Sequence, residues 1–503
     1  MKKGIIALSV AAALATTSFA DADMQLQLDL LKKQIAALEA AMNANTKSIK
    51  KVTKKTKKLG KKVNKVKAHD AGDNIKWDID FRTSVDKINY THASGAKSSN
   101  SGLLTNRLLL GMKYKADERV SFYGTLGYNK AYGDTANHSQ SNTNPGYANF
   151  DWVTNENATD NTLKVKEAYW LYMNDTFLGT DVAWTASIGR RPSTGGLGIN
   201  YREGDKRKSA LAHTVNVEFD GASFKWNLDK VTPLEGSWFK LCMGRGLTNA
   251  KQRFQNDGAD YSEDETLHAN SDMLGFIFVP YDDGQYSFHT NYAMANHMIG
   301  FDNTELAKSN PASPTYVANY QPTFQDVGDL ELMTAMVKVD GIGNEINDFL
   351  DDTTFFASYA LSKTTPNAEN ANDGGMLGSS QSQTGSSVWL GLQMPCLLTD
   401  DGRMGIEWNK GSKYWRSMTY GEDTMAGSKI ATRGTALEIY WLKPLTKALS
   451  MSLRYTDINY DYTGSNAFFG ADGTPMTMAQ AIANGQDPVE SATDLRVSMR
   501  YKF

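Results

Sequence analysis

The last ten residues of the chain, Asp494-Leu-Arg-Val-Ser-Met-Arg-Tyr-Lys-Phe503, decide the fold class. From Leu495 onward, apolar and polar residues alternate strictly. A period of two places the apolar set on one face of a β-strand and the polar set on the other. The polar face is strongly cationic, because it carries Arg496, Arg500 and Lys502. One apolar face and one charged face indicate a sheet whose charged side contacts water.

The apolar set of this strand has the pattern of the C-terminal insertion signal of outer-membrane β-barrels, with a terminal aromatic residue and apolar residues at every second position. Its members are Leu495, Val497, Met499, Tyr501 and Phe503. Ten such residues also occur in ordinary edge strands. The barrel prediction therefore depends on whether the pattern recurs along the chain.

The alternation does recur, in segments of about ten residues separated by turns. In the first of them, Ile79 and Phe81 alternate with Asp80 and Arg82. A soluble core could not hold such charges, whereas a water-filled lumen can. After residue 20, no stretch approaches the roughly 20 apolar residues that a membrane-spanning helix needs. The sequence therefore predicts an all-β transmembrane barrel over residues 75–503.

The number of strands follows from parity. The segments number about seventeen, but a barrel with both chain ends on the periplasmic side needs an even number of strands. Counts from the two ends conflict between residues 213 and 245, so one strand there is missed or invented. We predict 16 or 18 antiparallel strands, a size that leaves an aqueous channel.

The connections between the later strands alternate between short and long. The short turns, predicted to be periplasmic, are 281–285, 341–352, 395–403 and 443–448. The long segments, predicted to be extracellular, are 246–270, 296–330, 364–386, 417–434 and 463–493.

Residues 1–20 predict an export signal. Lys2 and Lys3 precede a short apolar stretch, and Ser18-Phe19-Ala20 supplies the small residues of a cleavage site after Ala20. The mature protein is therefore expected to leave the cytoplasm and, with a barrel, to reach the cell outer membrane of a Gram-negative bacterium.

Residues 21–69 predict a basic periplasmic coiled-coil stalk, followed by a linker at residues 70–74. The seam positions are Leu28, Leu31, Ile35, Leu38, Met42, Asn45, Ile49, Val52, Thr56, Leu59, Val63 and Val66. They keep a 3.5-residue period over about 65 Å of helix, which favours self-association. A helix packed on its own barrel would show the same stripe. A homotrimer is our hypothesis, because general porins are trimers.

Charge divides the chain into two parts. Residues 21–69 contain 13 Lys and 4 acidic residues, whereas residues 70–503 carry a net charge of −14. Eleven of the lysines lie between Lys47 and Lys67. Such a segment is either a solvated face or a surface that binds an anionic polymer, for which peptidoglycan carboxylates are the candidate. Nucleic acid is excluded by the compartment.

The third external segment, residues 190–211, is where many porins fold a loop into the pore. Its candidate residues are Arg190, Arg191, Arg202, Glu203, Asp205, Lys206 and Arg207, and those on the strands are Arg82, Arg107, Glu407, Arg454 and Arg500. Cations and carboxylates close together in a lumen select solutes by charge. Gly195 and Gly196 near arginine also indicate an anion cradle. The alternative is an exposed loop that binds lipopolysaccharide.

Other chemistry has little support in the sequence. Cys242 and Cys396 form no CxxC motif, the seven His are scattered, and no Gly-x-Ser-x-Gly elbow is present. We predict no enzyme activity, no metal site and no cofactor. The acidic stretch Asp257–Glu265 lacks calcium-loop spacing, so we expect it to bridge divalent cations to lipopolysaccharide.

Several of these features also occur together in a known family. The export signal, the basic heptads, Val165–Trp170, Ser187–Ser193 and the C-terminal strand together resemble an uncharacterised porin-like outer-membrane protein family of epsilon-class proteobacteria. The resemblance covers nearly the whole mature chain and implies an outer-membrane barrel, although the substrates of that family are unassigned. It draws attention to Gly189–Pro192. Leu197 stands where a proline is expected, so the path of the loop is open.

The leading functional prediction is a porin for passive diffusion of small hydrophilic solutes or ions. The alternative is a structural tether between outer membrane and cell wall through the Lys-rich helix. Expected partners are outer-membrane lipid, lipopolysaccharide, the barrel-assembly machinery, further copies of the chain and, through the stalk, peptidoglycan.

Overall fold

The computed structural model describes residues 22–73, 75–132, 163–209, 211–264, 269–343, 346–367, 374–419, 424–467 and 469–503. The chain forms two compact units, which meet in sequence between Asn74 and Ile75. The predicted export signal at residues 1–20 lies outside the described residues.

The first unit contains one long helix, α1 (Ala22–Asp73). The predicted linker at residues 70–74 is therefore helical as far as Asp73. An isolated glycine such as Gly72 costs a helix only about 1 kcal/mol, and no proline ends it earlier. Where side chains are described, the apolar seam positions are exposed, at Leu31, Ile35, Leu38, Met42, Val52, Leu59 and Val63. The coiled coil itself stays a prediction. In the described part of the chain, helices fall short of the length and apolarity needed to cross a bilayer.

The second unit is a closed barrel, in which the described residues form sixteen antiparallel strands. In chain order these are β1 (Lys76–His92), β2 (Lys97–Lys115), β3 (Val120–Ala131), β4 (Lys164–Asn174), β5 (Trp184–Arg191), β6 (Phe219–Asn227), β7 (Trp238–Leu247), β8 (Ser271–Asp282), β9 (Tyr286–Gly300), β10 (Gln325–Asp340), β11 (Thr354–Pro366), β12 (Thr384–Pro395), β13 (Arg403–Gly411), β14 (Gly434–Pro444), β15 (Leu449–Tyr460) and β16 (Val489–Lys502). Each strand pairs with its sequence neighbours, and β1 pairs with β16. The barrel prediction is confirmed, with the smaller of the two predicted strand numbers.

The ambiguous region between residues 213 and 245 contains only β6 and the start of β7. Residues 213–218 also alternate polar and apolar side chains, as a strand would. Both of their faces are covered, however, since Thr214 and Val217 are fully buried. This segment is not one of the sixteen strands of the barrel wall. Its backbone makes only one isolated β-bridge, from Val215 to Met418. It accounts for the surplus strand.

Side chains of the barrel wall are apolar outside and polar inside. In β16, Leu495 and Val497 are exposed, whereas Arg496 and Ser498 are buried. The same division holds in β1, where Phe81 is exposed and its neighbours Asp80 and Arg82 are buried. The strict alternation therefore produces the two faces that the sequence predicted.

The two ends of the barrel differ in the length of their connections. One end has short connections, such as 283–285 and 445–448. The other has mostly long ones, of which two matter here: loop 3 (residues 192–218) and loop 7 (residues 412–433). The described residues of the connections form four short helices, α2 (Ile199–Arg202), α3 (Asn303–Ser309), α4 (Asp348–Asp351) and α5 (Met478–Ala483), and a 3-10 turn (Ala471–Gly473).

Described segments of loops 3 and 7 pack against the inner wall of the barrel. From loop 3, Leu197, Ile199 and Leu211 pack against strand residues that include Trp389, and Ile430 of loop 7 joins the same cluster. Burial of these apolar groups favours the inward position of both loops. The lumen is therefore narrowed by chain segments that the barrel strands hold in place.

Candidate pore constriction

The path of loop 3 depends on a glycine. Gly198 precedes α2 with φ of 105°, and a Cβ atom there would lie 2.2 Å from the ring of Trp389. Only glycine fits both the backbone conformation and the close approach. The loop can thus press against β12 and turn α2 toward the far wall, although Leu197 replaces the expected proline.

The end of α2 carries an acidic tip, Glu203 and Asp205, which meets an arginine wall. Glu203 lies 3.3 Å from Arg454, 3.7 Å from Arg82, 3.8 Å from Arg107 and 3.7 Å from Arg500, measured between side-chain nitrogen and oxygen atoms. These arginines come from four adjacent strands, β15, β1, β2 and β16. One carboxylate is therefore surrounded by four guanidinium groups.

Asp205 contacts the same wall. Arg500 donates to it at 2.7 Å and Lys502 at 2.5 Å. Arg500 also donates to the Glu203 backbone oxygen at 2.9 Å and to Asp80 at 2.7 Å. Burial would raise the pKa of Asp205, but the two cations more than offset this and hold the pKa below its ordinary value. Asp205 therefore carries a negative charge at neutral pH.

A fully buried ion network lies behind the tip. The Arg202 side chain is 3.0 Å from Glu438, and the ammonium group of Lys429 is 2.7 Å from Glu438 and 2.6 Å from Glu407. All four side chains have 0% exposure. The indole of Trp389 donates to Glu407 at 3.0 Å. This network joins loop 3 and loop 7 to β13 and β14.

A cavity of about 400 Å³ adjoins the arginine wall. It is lined by one carboxylate, that of Glu203, and by the guanidinium groups of Arg82, Arg202, Arg454, Arg496 and Arg500. Serine and tyrosine hydroxyls, among them Ser452 and Tyr440, complete its surface. Its lining is therefore polar and predominantly cationic.

His213 anchors the returning half of loop 3. Its Nδ1 is 2.8 Å from the hydroxyl of Ser358 and its Nε2 is 2.9 Å from that of Ser387. The rings of Trp389 and Trp415 are each 5.6 Å from the imidazole, between centroids. Complete burial lowers the pKa of His213 to about 3, so the docked loop holds a neutral histidine at neutral pH.

The structure brings together most of the predicted site residues. Arg82, Arg107, Arg454, Arg500, Arg202, Glu203, Asp205 and Glu407 all belong to the wall, the tip or the buried network. Lys206 is exposed. Arg207 lies elsewhere in the lumen, 3.4 Å from His289.

The two neighbouring arginines of β5 separate. Arg190 lies on the face of β5 that carries the exposed Ile188 and is 3.8 Å from Asp220. The placement of Arg190 in the lumen is therefore wrong, because consecutive residues of a strand point to opposite faces. Arg191 does face inward, and its guanidinium group lies 4.2 Å from the Tyr169 ring centroid.

Sequence reasoning missed Lys429, Glu438 and Arg433. Glu438 stands between Leu437 and Ile439 in a strand, so its inward position could have been found from alternation. Lys429 and Arg433 lie in loop 7, where the sequence has no period. Both are fully buried, and nothing local in the sequence predicts this.

The acidic stretch between β7 and β8 makes contacts within its own connection. Asp257 lies 3.3 Å from Lys251, and Asp260 accepts from the Gln255 backbone at 2.8 Å. In the part of the chain that the structure describes, no three His, Cys, Asp or Glu side chains are placed to hold a metal ion. Binding of divalent cations with lipopolysaccharide stays a prediction.

Fold and site together define the class of protein: a sixteen-stranded β-barrel with a charged lumen narrowed by inward loops. Residues 97–503 match the model of a family described as "Protein of unknown function (DUF3373)", and the chain belongs to that family. A comparison of this chain with curated proteins found no matching sequence.

Several solved structures are similar to this barrel. An anion-selective porin from Comamonas acidovorans has 11% identity and a TM-score of 0.44, covering 86% of this chain and 100% of its own. OprB from Pseudomonas putida has 12% identity and a TM-score of 0.45, with 88% and 96% covered. OmpT, an outer membrane protein of Vibrio cholerae, has 10% identity and a TM-score of 0.42, with 85% and 97% covered.

Proposed function

We propose that this protein is an outer-membrane porin that lets small hydrophilic solutes or ions diffuse passively through its lumen. The observation that carries the proposal is the distribution of side chains in the barrel, which are apolar on the outside and charged on the inside. Loop 3 crosses this charged lumen to the arginine wall. An apolar exterior suits lipid, and a barrel of this strand number is wide enough for an aqueous passage.

The passage favours anions in this proposal. The cavity at the constriction presents five guanidinium groups and one carboxylate. A lumen whose lining has an excess of one sign of charge concentrates the opposite ion. The acidic tip moderates this preference, and so do the wall carboxylates Asp80, Asp86 and Glu438, which pair with Arg500, Arg496 and Arg202.

Recording from single channels in planar bilayers tests the proposal. Purified, folded protein should give stable conductance steps, and the reversal potential under a KCl gradient should have the sign of an anion-selective pore. Folded protein without any conductance would refute the channel. Conductance with a cation-selective reversal potential would refute the selectivity alone.

A second candidate function, a tether to the cell wall, is favoured by α1. The lysines between residues 52 and 63 are exposed, and they stand beside an uncovered apolar seam. In this proposal the seam joins copies of the chain, by preference three, in the periplasm, and the lysines bind peptidoglycan carboxylates. Replacing Lys54, Lys55, Lys57, Lys58, Lys61 and Lys62 by Gln should abolish co-sedimentation with purified sacculi.

The two candidates separate experimentally. The lysine variant should keep the conductance of the barrel, and sacculus binding that survives the substitutions would overturn the tether. Substituting Leu38 by Asp in the seam should dissociate the oligomer in detergent, as seen by light scattering. An unchanged mass would overturn self-association through α1.

A further inference from the structure

A second cavity lies in the lumen, between loop 3 and strands β6 to β9. About 790 Å³ of space without protein atoms lies among its lining residues, and part of that space is open to solvent. Much of its lining is apolar, including Leu211, Val215, Met273, Ile277, Leu332 and Met418. We call it the apolar chamber. None of the described residues that line it also lines the cavity at the arginine wall.

Two cations, Arg191 and Lys240, also line the apolar chamber. The Nε and Nη1 atoms of Arg191 are buried and have no hydrogen-bond acceptor within the described residues. A buried charged donor that lacks an acceptor destabilises a protein more than a buried neutral donor does. Tyr169 holds the guanidinium group by stacking, with 4.2 Å between its ring centroid and Arg191 Cζ. The group is therefore fixed, and its Nε and Nη1 donors are left for an acceptor that enters the chamber.

Further positive charge lies beside Lys240. Lys225 is its cross-strand partner on β6, and the Lys225 ammonium group is 4.5 Å from the Trp238 ring centroid. Like charges opposite each other on a sheet repel. Within the described residues, neither lysine forms an ion pair with a carboxylate. The chamber thus combines apolar walls with a local excess of positive charge.

We propose that the apolar chamber binds a carboxylate that carries an apolar body, such as an aromatic or short alkyl acid. The carboxylate would accept from Arg191, as charge-assisted pairs with guanidinium do, and the body would cover the apolar wall. A compact, multiply charged anion such as phosphate would lose its hydration against that wall without compensation. The inference rests on the proposed channel, because it names a solute class for the same lumen.

Calorimetry on the folded full chain in detergent tests the site directly. Benzoate and hexanoate are the probes, and benzyl alcohol, acetate and phosphate are the comparisons. We expect at least one of the two acids to bind about tenfold or more tighter than each comparison. The ratio of benzoate affinity to hexanoate affinity shows whether an aromatic ring or an alkyl chain fits the chamber better. Equal affinity for acetate or for benzyl alcohol would overturn the proposal.

Cys242 provides a second measurement, because it also lines the apolar chamber. In a Cys396→Ser background, the preferred acid should slow maleimide labelling of Cys242, and acetate should not. Arg191→Gln should weaken acid binding about ten- to hundredfold. Arg245→Gln is the matched control, since Arg245 pairs with Asp272 on the outer face at 2.7 Å, and it should leave binding unchanged.

Failure of the proposed binding site can be distinguished from failure of the proposed channel. Lys240→Gln, tested beside Arg191→Gln, covers the case in which one variant does not fold. Conductance without acid binding would overturn the chamber alone. Acid binding without conductance would refute the channel and leave a binding barrel. Binding that is as tight in Arg191→Gln as in Arg245→Gln would overturn the assignment of Arg191.

Discussion

Loop 3 touches two parts of the lumen wall that differ in chemistry. Its tip meets the charged sector, formed by β13 to β16, β1 and β2, where Glu203 and Asp205 face the arginine wall. Its flanks meet the apolar sector, formed by β10 to β12, where Leu197 and Leu211 pack around Trp389. The apolar contacts tolerate exchange of similar groups, whereas each buried charge depends on its partners. The two sectors should therefore respond very differently to single substitutions.

The largest effect is expected from Glu438→Gln in the charged sector. Glu438 contacts Arg202, Lys429 and the hydroxyl of Thr456, and it is fully buried. Without its charge, two buried cations lose a partner, which should weaken docking of loops 3 and 7 by about 3–5 kcal/mol. We expect larger, noisier conductance steps and faster proteolysis of loop 7.

The control for this substitution is Glu331→Gln. Glu331 pairs with Lys363 at 2.9 Å, but both side chains are partly exposed, so the loss should be at most about 1 kcal/mol. If both variants conduct and resist proteolysis like the wild type, the buried network does not hold the loops.

The charged sector shows which features of the site could be predicted from the sequence. The inward position of Arg500 follows from alternation with Met499 and Tyr501, which is a local property of a strand. The partnership of Arg202 with Glu438 joins residues 236 positions apart. It depends on where loop 3 ends inside the closed barrel, and no periodicity encodes that. The error at Arg190 is different in kind, because adjacent strand residues cannot both face the lumen.

The second largest effect is expected from protonation of His213, which lies between the two sectors. A released loop would have a histidine of ordinary pKa, near 6.5, whereas burial lowers the pKa of docked His213 to about 3. The released state then binds more protons between these values, so docking is strongest above pH 6.5 and weakens as the pH falls toward 3. At pH 5 the loss is about 2 kcal/mol.

Conductance and protease sensitivity measured from pH 7 down to pH 4.5 test this response. His213→Asn keeps a polar side chain but removes the titration of this histidine, so its pH response should be clearly smaller than that of the wild type. His92→Asn, at a partly exposed histidine that ends β1, should give the same pH response as the wild type. An equal acid response in His213→Asn would assign the effect to other groups.

A smaller effect is expected from the tip itself, in the double variant Glu203→Gln and Asp205→Asn. Both side chains are partly open to the lumen, so their removal should disturb folding less than that of Glu438. The arginine wall would lose its neutralising charges, and the anion-to-cation permeability ratio should rise roughly two- to tenfold. Reversal potentials under a KCl gradient give this ratio. An unchanged ratio would place the selective region away from the tip.

The smallest effect should come from the apolar sector, in Ile430→Val. Ile430 is fully buried between loop 3 and the wall and belongs to the cluster around Trp389. Loss of one methylene there should weaken loop docking by about 1 kcal/mol, and selectivity should stay unchanged because no charge is altered. Ile439→Val, the same substitution on the outer face of β14, is the control. Protease sensitivity of loop 7 should rise slightly in the first and not in the second. If Ile430→Val instead matched the effect of Glu438→Gln, the distinction between a tolerant apolar sector and a partner-dependent charged sector would fail.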